Sequence, residues 1–494
     1  MNKRDRAAVL LMARSALMAA ALACASTAQA SRCSDLIQAF GSQLADVQCF
    51  ESADLTTNNA ATTPADNALT PPLPFFAFTP QTDRGVIAPV AGQRTPITKA
   101  VPGVQLDARI ASDPTGQARF LLRMPDNWNG RLVVAGASGT RSEFNGDFAW
   151  SDYVVQQGYA YASQNKGVLN LRLHGASDPP GCRLNPVLPV FVNFYDNDPG
   201  QPFTRWRQYM IAAAKLARMG LQAHYGHKPR YTYAVGTSNG GYQVRRAIET
   251  APELFDGGVD WEGTFVDSGA PNLLTDLPPA VLNFPDYVSS GFSASSTAAQ
   301  NIRAAGYPPD IVIGAASLWN NHYGTTTDAG FWEVTFCQWQ KRLDPTYDTY
   351  GAGTGTYNYI ARLSVSDVGQ QLADFATTGR IQQPLITVAG TMDSLLPIDH
   401  HARKVHAARG EGQDSGEAPP YRLYEVQNGN HIESYRATFP QLELIEPHAQ
   451  HAFDLLVQHV EGGSPLPPDQ CIPHGGKILD PPPEPGHCAS LFAP

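Results

Sequence analysis

The stretch Tyr233-Ala-Val-Gly236-Thr-Ser238-Asn-Gly240-Gly241 decides the fold, because it joins a short apolar strand to a helix through Gly-x-Ser-x-Gly. Small residues around the serine let the chain turn sharply, so that the Ser238 hydroxyl stands exposed above the end of the strand. Residues 230–236 form a buried-strand pattern, and residues 242–250 read as a helix that stops before Pro252. The stretch therefore predicts a strand, a sharp turn and a helix, with a nucleophilic serine at the turn.

The composition describes a large globular protein. Of 494 residues, 43% are hydrophobic and 16% are charged, and 43 glycines and 40 prolines indicate many long connections. Because α/β folds often hold roughly 250 residues in one unit, we expect one large domain with an insertion. The net charge of −10 argues against nucleic acid or an anionic membrane as the main partner.

The N-terminus has the pattern of an export signal. Basic residues between Lys3 and Arg14 precede the apolar run Ala16–Ala25, and Ala28-Gln-Ala30 offers a small-x-small cleavage site. We expect residues 1–30 to be a signal peptide and the protein to be secreted or periplasmic. Two alternatives stay open: an amphipathic helix that remains attached, and lipoprotein processing at Cys24. No later stretch approaches the roughly 20 apolar residues of a membrane span.

Removal of the signal peptide would leave an even number of cysteines, which in an exported chain indicates disulfides. The six are Cys33, Cys49, Cys182, Cys337, Cys471 and Cys488. Proximity in sequence favours Cys33 with Cys49 and Cys471 with Cys488, which would leave Cys182 to join Cys337. No Cys-x-x-Cys pair suggests zinc or thiol redox chemistry.

Strands and helices alternate on both sides of the Ser238 stretch, which predicts a mostly parallel sheet with right-handed crossovers. The predicted strands are 117–124, 131–136, 158–163, 230–236, 258–263, 383–390 and 421–426, and the predicted helices are 31–50, 148–157, 205–224, 242–250, 399–408 and 440–460. Residues 267–380 break this alternation with Pro, Gly and many aromatics, and they indicate an inserted lid. The predicted organisation is a signal peptide (1–30), a catalytic domain in two parts (31–266 and 381–462) around the lid (267–380), and a Pro-rich C-terminal tail (463–494).

The order Ser, Asp, His along the chain predicts a catalytic triad. A serine hydroxyl needs a base to remove its proton, and the base needs an acid to hold its tautomer. Asp393 follows the predicted strand 383–390, and His431 follows the predicted strand 421–426. Both would lie at the sheet edge that carries Ser238, so the sequence predicts Ser238 as nucleophile, His431 as base and Asp393 as acid.

Other polar residues near these strands offer alternatives. Asp260 and Glu262 belong to the strand that follows the Ser238 helix, and either could replace Asp393 as the acid. His400, His401 and His406 are interpreted as structural or surface groups on a helix.

A serine nucleophile also needs fixed donors for the negative charge that develops on the carbonyl oxygen. We expect one donor to be the backbone N–H of Asn239, at the start of the helix. The second should come from the small-residue loop Gly136–Thr140, through Ala137 or Ser138; the alternative is an ordinary Gly-rich turn.

The predicted lid is rich in aromatic residues, which could line an apolar substrate pocket or form the core of the insertion. They include Trp319, Tyr323, Phe331, Trp332, Phe336, Trp339, Tyr347 and Tyr350. Asp344 and Asp348 lack the ordered ligand spacing of a calcium loop. We therefore predict no metal and no cofactor.

Several stretches of the chain resemble the tannase and feruloyl esterase family of secreted α/β-hydrolases. They are Leu122–Gly130, Gln157–Ser163, Gly236–Gln243, Pro252–Gly257 and the loops that carry Asp393 and His431. The resemblance implies an α/β-hydrolase fold, ester hydrolysis through an acyl-enzyme, and a large lid that carries substrate specificity. That family typically places cysteines beside the catalytic serine and histidine, where this chain has Thr237 and Ile432.

The sequence thus predicts an exported serine esterase that acts on a small-molecule or oligomeric ester, aromatic gallate or hydroxycinnamate esters being one substrate class. Hydroxyalkanoate oligomers or polyesters are an alternative substrate class. A non-catalytic binding protein with a hydrolase fold, and a peptidase, are alternatives of another kind.

Overall fold

The computed structural model describes residues 32–62, 75–76, 95–139, 141–173, 182–183, 190–194, 202–323, 331–344, 346–347, 357–411 and 420–494. The predicted signal peptide lies outside these residues. No helix of the described part is both long enough and apolar enough to cross a membrane.

A mostly parallel sheet forms the centre of the molecule. The described strands are β1 (Leu44–Ser52), β2 (Phe75–Phe76), β3 (Gly103–Ile110), β4 (Arg119–Pro125), β5 (Arg131–Gly136), β6 (Ala160–Gln164), β7 (Leu171–Leu173), β8 (Cys182–Arg183), β9 (Val190–Val192), β10 (Tyr231–Thr237), β11 (Gly257–Trp261), β12 (Val312–Ile313), β13 (Ala316–Ser317), β14 (Leu385–Gly390), β15 (Tyr421–Val426), β16 (Gln470–Ile472) and β17 (Glu484–Pro485). The main sheet has the order β1-β3-β4-β6-β5-β10-β11-β14-β15-β16-β17. Strands from β6 to β16 in this order pair in parallel, and antiparallel strands lie at both ends.

Helices cover both faces of the sheet. They are α1 (residues 32–40), α2 (Asp152–Val155, preceded by a π-helical turn, Asp147–Ser151), α3 (Pro202–Tyr225), α4 (Asn239–Thr250), α5 (Leu273–Ser289), α6 (Thr297–Ala304), α7 (Leu318–Tyr323), α8 (Phe331–Leu343), α9 (Tyr359–Leu363), α10 (Val368–Ala373), α11 (Ala402–Glu411) and α12 (Glu446–Gly462). Side chains of a strand alternate between faces. In β5, Leu132 and Val134 accordingly pack in one core with α1, α3, α4 and α11, while Val133 and Ala135 pack in another with α2 and α12. Burial on both faces explains why this strand is apolar from Leu132 onward.

The segment between β11 and β14 leaves the sheet and forms helices α5 to α10 around an aromatic core that it shares with α3 and α4. Trp319, Trp332, Phe336 and Trp339 are buried there, so these aromatics form the core of the insertion. The same core includes Tyr242 of α4, whose hydroxyl donates to the carbonyl oxygen of Phe375 at 2.6 Å. The insertion is thereby packed onto the helix that follows Ser238.

Within the described residues, three disulfides join the cysteines in the pairing that the sequence favours. Cys33 is bonded to Cys49, Cys182 to Cys337, and Cys471 to Cys488. The second bond connects β8 to helix α8 of the insertion and closes a separation of 155 residues.

Several predicted elements were wrong at their boundaries. The helix predicted over 31–50 ends at residue 40, and β1 follows because it pairs with β3, a strand that the pattern did not predict. The last helix begins at Glu446 rather than Pro440. The C-terminal segment contributes β16 and β17 to the main sheet in addition to its disulfide.

Candidate active site

Ser238 stands at the turn between β10 and α4. Its backbone has φ 60° and ψ −125°, a conformation that costs a non-glycine residue about 1–3 kcal/mol and marks functional sites. Gly236 and Gly240 make the turn possible, because a Cβ on either residue would collide with backbone atoms, those of Gly240 and Gly136 respectively. The sharp turn predicted from Gly-x-Ser-x-Gly is therefore present.

Four polar residues follow four neighbouring parallel strands at the same edge of the sheet. Ser238 follows β10, Glu262 follows β11, Asp393 lies three residues after β14, and His431 lies five residues after β15. The edge is continuous, because the Ser238 N–H donates to the Trp261 carbonyl oxygen at 2.9 Å. All four residues are buried, with 2–6% of their surface exposed.

Asp393 and His431 form a direct pair. The distance between His431 Nδ1 and Asp393 Oδ2 is 2.8 Å. The other oxygen, Oδ1, accepts hydrogen bonds from the N–H groups of Leu395 and Leu396 at 2.7 Å each. Burial raises the pKa of Asp393, but His431 and the two N–H donors outweigh it and hold the pKa below its ordinary value. Asp393 is therefore fixed as a carboxylate against the imidazole.

The loop that carries His431 is held by its neighbour. Asn430 donates to the Met392 carbonyl oxygen at 2.6 Å, and its side-chain oxygen accepts from the Ile432 N–H at 3.1 Å. The first bond ties the His431 loop to the Asp393 loop, and the second lies within the His431 loop. Burial lowers the pKa of His431, but the facing carboxylates raise it above its ordinary value.

Glu262 is a second carboxylate at the same imidazole nitrogen. Its Oε2 lies 3.0 Å from His431 Nδ1, and its Oε1 accepts from Trp261 Nε1 at 3.2 Å. Burial raises the pKa of Glu262 to about 7, with repulsion from Asp393 adding to this and His431 opposing it. The sequence offered Glu262 in place of Asp393, whereas the structure places both at His431.

Asp260, the other alternative acid, is turned away from His431. It lies within β11 and pairs with Arg245 at 2.9 Å, and it also accepts from Thr387 at 2.9 Å. Its side chain faces Arg245 of α4 and Thr387 of β14, so Asp260 does not join the edge cluster. It serves the packing of α4 on the sheet.

The predicted oxyanion loop lies beside the start of α4. Asn239 is the first residue of that helix, and its side-chain oxygen accepts from Thr264 at 2.7 Å. The Ser138 N–H already donates to Asn145 Oδ1 at 2.9 Å. Of the two sequence-predicted loop residues, Ala137 is consequently the better candidate for the second donor.

Lys166 contacts this loop through its ammonium group, and no local sequence pattern predicts that contact. Its ammonium donates to the carbonyl oxygens of Ser138 and Gly139, the latter at 2.5 Å. In a trans peptide the N–H points opposite to the preceding C=O. The Gly139 N–H therefore points away from Lys166, which makes it a further donor candidate.

The remaining titratable residues singled out in the sequence have structural partners. His400 and His401 flank the buried Asp276, at 2.7 and 3.2 Å, and His406 pairs with Asp469 at 2.8 Å. Asp344 accepts from Arg362 at 2.6 Å and from Tyr357 at 3.1 Å, while Asp348 lies outside the described residues. Asp344 is thus engaged within the insertion.

The strand order and the Ser238 turn define an α/β-hydrolase fold. The parallel strands β5, β10, β11, β14 and β15 are neighbours, and the polar residues sit at their carboxyl ends in the order that this fold uses. The fold class predicted from the sequence is therefore confirmed.

Within that class, sequence comparison relates the chain to a group of oligomer hydrolases. A family model described as 3HB-oligomer hydrolase matches residues 346–483, which contain Asp393 and His431. A D-(-)-3-hydroxybutyrate oligomer hydrolase from Burkholderia mallei is 32% identical over 182 residues, which are 35% of this chain and 23% of that protein. The corresponding protein of Burkholderia thailandensis is 31% identical over 102 residues, 19% of this chain and 14% of that protein. The matches span less than a quarter of the length of these relatives.

Solved structures similar to this chain include members of the group that the sequence resembles. Feruloyl esterase B from Aspergillus oryzae has 12% identity and a TM-score of 0.47, and the match covers 85% of this chain and 87% of the esterase chain. Tannin acyl hydrolase from Aspergillus niger has 13% identity and a TM-score of 0.40, and the match covers 81% of this chain and 89% of the hydrolase chain.

Proposed function

We propose that this protein is an exported serine esterase with Ser238 as nucleophile, His431 as base and Asp393 as acid. The observation that carries the proposal is the 2.8 Å pair between His431 Nδ1 and Asp393, at the sheet edge where Ser238 occupies its strained turn. An acid on Nδ1 fixes the tautomer in which Nε2 can accept a proton.

The reaction proceeds in two halves. Ser238 Oγ attacks the ester carbonyl carbon while His431 Nε2 takes the hydroxyl proton. The negative charge on the carbonyl oxygen meets the backbone N–H of Asn239 and that of Ala137 or Gly139. The intermediate then collapses, and the leaving alcohol departs with the proton from Nε2. Water attacks the acyl-enzyme by the same route and releases the acid.

The substrate class that we propose first is 3-hydroxybutyrate oligomers. Its support is the family match over residues 346–483 together with the Burkholderia relatives. Aromatic esters are the second candidate and rest on the sequence resemblance to tannases and feruloyl esterases. Thr237 and Ile432, where that group has cysteines, favour the first candidate.

The proposal includes a substrate-selecting lid over 267–380 and export from the cytoplasm. The lid is supported by its aromatic core, which also includes Tyr242, four residues after Ser238. Export is supported by three disulfides, which persist in oxidising compartments, and by the signal pattern of residues 1–30.

The test is hydrolysis of p-nitrophenyl butyrate by wild type and Ser238→Ala, with circular dichroism to show that the variant folds. We expect Ser238→Ala to abolish turnover; undiminished turnover would overturn the proposal, and an inactive wild type would favour the binding-protein alternative. Rates on 3-hydroxybutyrate oligomers, methyl ferulate and methyl gallate then rank the two substrate classes. A matching amide separates an esterase from a peptidase.

A further inference from the structure

We infer that Glu262 is a second positioning acid for His431, able to take over the Nδ1 hydrogen bond when Asp393 is absent. The inference rests on the proposed function, because it assigns a role toward the base of that triad. It goes beyond the usual arrangement of one acid per histidine.

The geometry places two carboxylates at one nitrogen. His431 Nδ1 carries one hydrogen, and Asp393 Oδ2 lies 2.8 Å away while Glu262 Oε2 lies 3.0 Å away. Glu262 Oε2 is buried and makes no hydrogen bond within the described part of the chain. This oxygen is therefore available to accept the Nδ1 hydrogen if Asp393 releases it.

The backbone aims the Glu262 side chain at this position. Glu262 has φ 51° and its N–H donates to the Val388 carbonyl oxygen at 2.9 Å, which fixes it at the end of β11. Trp261 Nε1 holds the other carboxylate oxygen. A left-handed conformation in a glutamate is uncommon and requires support from its surroundings.

The charges around Glu262 explain how two buried acids coexist. Asp393 and, farther away, Glu433 repel its charge, while His431 favours it. Burial lowers the pKa of the nearby His322 to about 3, so His322 is neutral and offers no countercharge. With Asp393 ionised, Glu262 is mostly protonated below pH 7; without Asp393, the main repulsion is gone and Glu262 ionises beside His431.

The experiment measures kcat for an activated ester in Asp393→Ala, Glu262→Gln and the double variant. Loss of an only acid lowers kcat by about 10⁴-fold. We expect Asp393→Ala to lose only about 10²-fold, and the double variant to reach the full loss. Asp393→Asn provides a second background, because it retains Oδ1 to accept from Leu395 and Leu396.

The pH profile separates positioning from a merely structural role. In the Asp393→Ala background, kcat should rise with the ionisation of Glu262, and this rise should vanish in the double variant. Asp399 is a half-exposed carboxylate that pairs with Arg403, and Asp399→Asn is the matched control. Added to Asp393→Ala, it should leave kcat and its pH profile unchanged. The inference is overturned if Asp393→Ala and Asp393→Asn each have the same kcat as the corresponding double variant that also carries Glu262→Gln. Because Ser238→Ala is assayed beside them, that outcome differs from failure of the serine mechanism itself.

Discussion

The ammonium of Lys166 donates a hydrogen bond to the carbonyl oxygen of Gly139 at 2.5 Å, and it also reaches the carbonyl of Ser138. A buried cation thus fixes the direction of the peptide groups in the proposed oxyanion loop. The relationship matters because a donor helps only if it is already aimed at the developing charge.

Replacement of Lys166 should reduce turnover through this loop. We expect Lys166→Met to lower kcat for p-nitrophenyl butyrate by about 10- to 100-fold, because the loop peptides lose their fixed orientation. KM should change much less, since the charge develops only in the transition state. Lys215→Met, at an exposed site on α3, is the control. Equal kcat values for the two variants would contradict the prediction.

The close approach of β5 and α4 should be sensitive to one methyl group. In Gly240→Ala the new Cβ would meet the backbone of Gly136, so we expect a loss of about 1–3 kcal/mol in the free energy of unfolding. Urea denaturation measures this. Gly462→Ala is the matched control, because its nearest neighbour would be Ser464 Oγ at 3.9 Å. A stability equal to that of the control would show that β5 and α4 separate easily.

The buried Glu262 should make stability depend on pH. Its pKa is raised from 4.5 to about 7 in the folded state, so its favourable contribution is complete below pH 4.5 and is lost as the pH rises through 7. Glu262→Gln removes this dependence. We expect the difference in free energy of unfolding, Glu262→Gln minus wild type, to be larger at pH 8 than at pH 5. Urea denaturation at both pH values measures this difference. A constant difference across this range would contradict the assignment.

The disulfide between Cys182 and Cys337 should stabilise the protein more than the one between Cys33 and Cys49. It closes a separation of 155 residues rather than 16, and the entropy removed from the unfolded chain grows with loop length. We expect replacing Cys182 and Cys337 by serine to lower the free energy of unfolding by roughly 1–2 kcal/mol more than replacing Cys33 and Cys49 does. Denaturation of both variants under identical conditions tests this order.

The sequence could predict the Ser238 turn because its determinants are local. Small residues at fixed spacing permit one geometry, and the acid and base each follow an apolar strand. The placement of Ser238, Asp393 and His431 at one edge agrees with that prediction.

Long-range contacts explain what the sequence could not predict. Lys166 reaches Ser138 across 28 residues, and Glu262 meets His431 only after β11 and β15 take their places on either side of β14. In β1, an apolar spacing that continues from Leu36 and Phe40 suggests helix, yet pairing with β3 overrides that local preference.

The insertion starts after β11 and the chain re-enters the sheet at β14, the strand directly beside it. A segment whose two ends are anchored to adjacent strands can change in length or composition without altering the strand pairing that positions Ser238, Asp393 and His431. The proposed catalytic residues are thereby tied to the sheet, while the insertion, which we propose as the lid, can vary without displacing them.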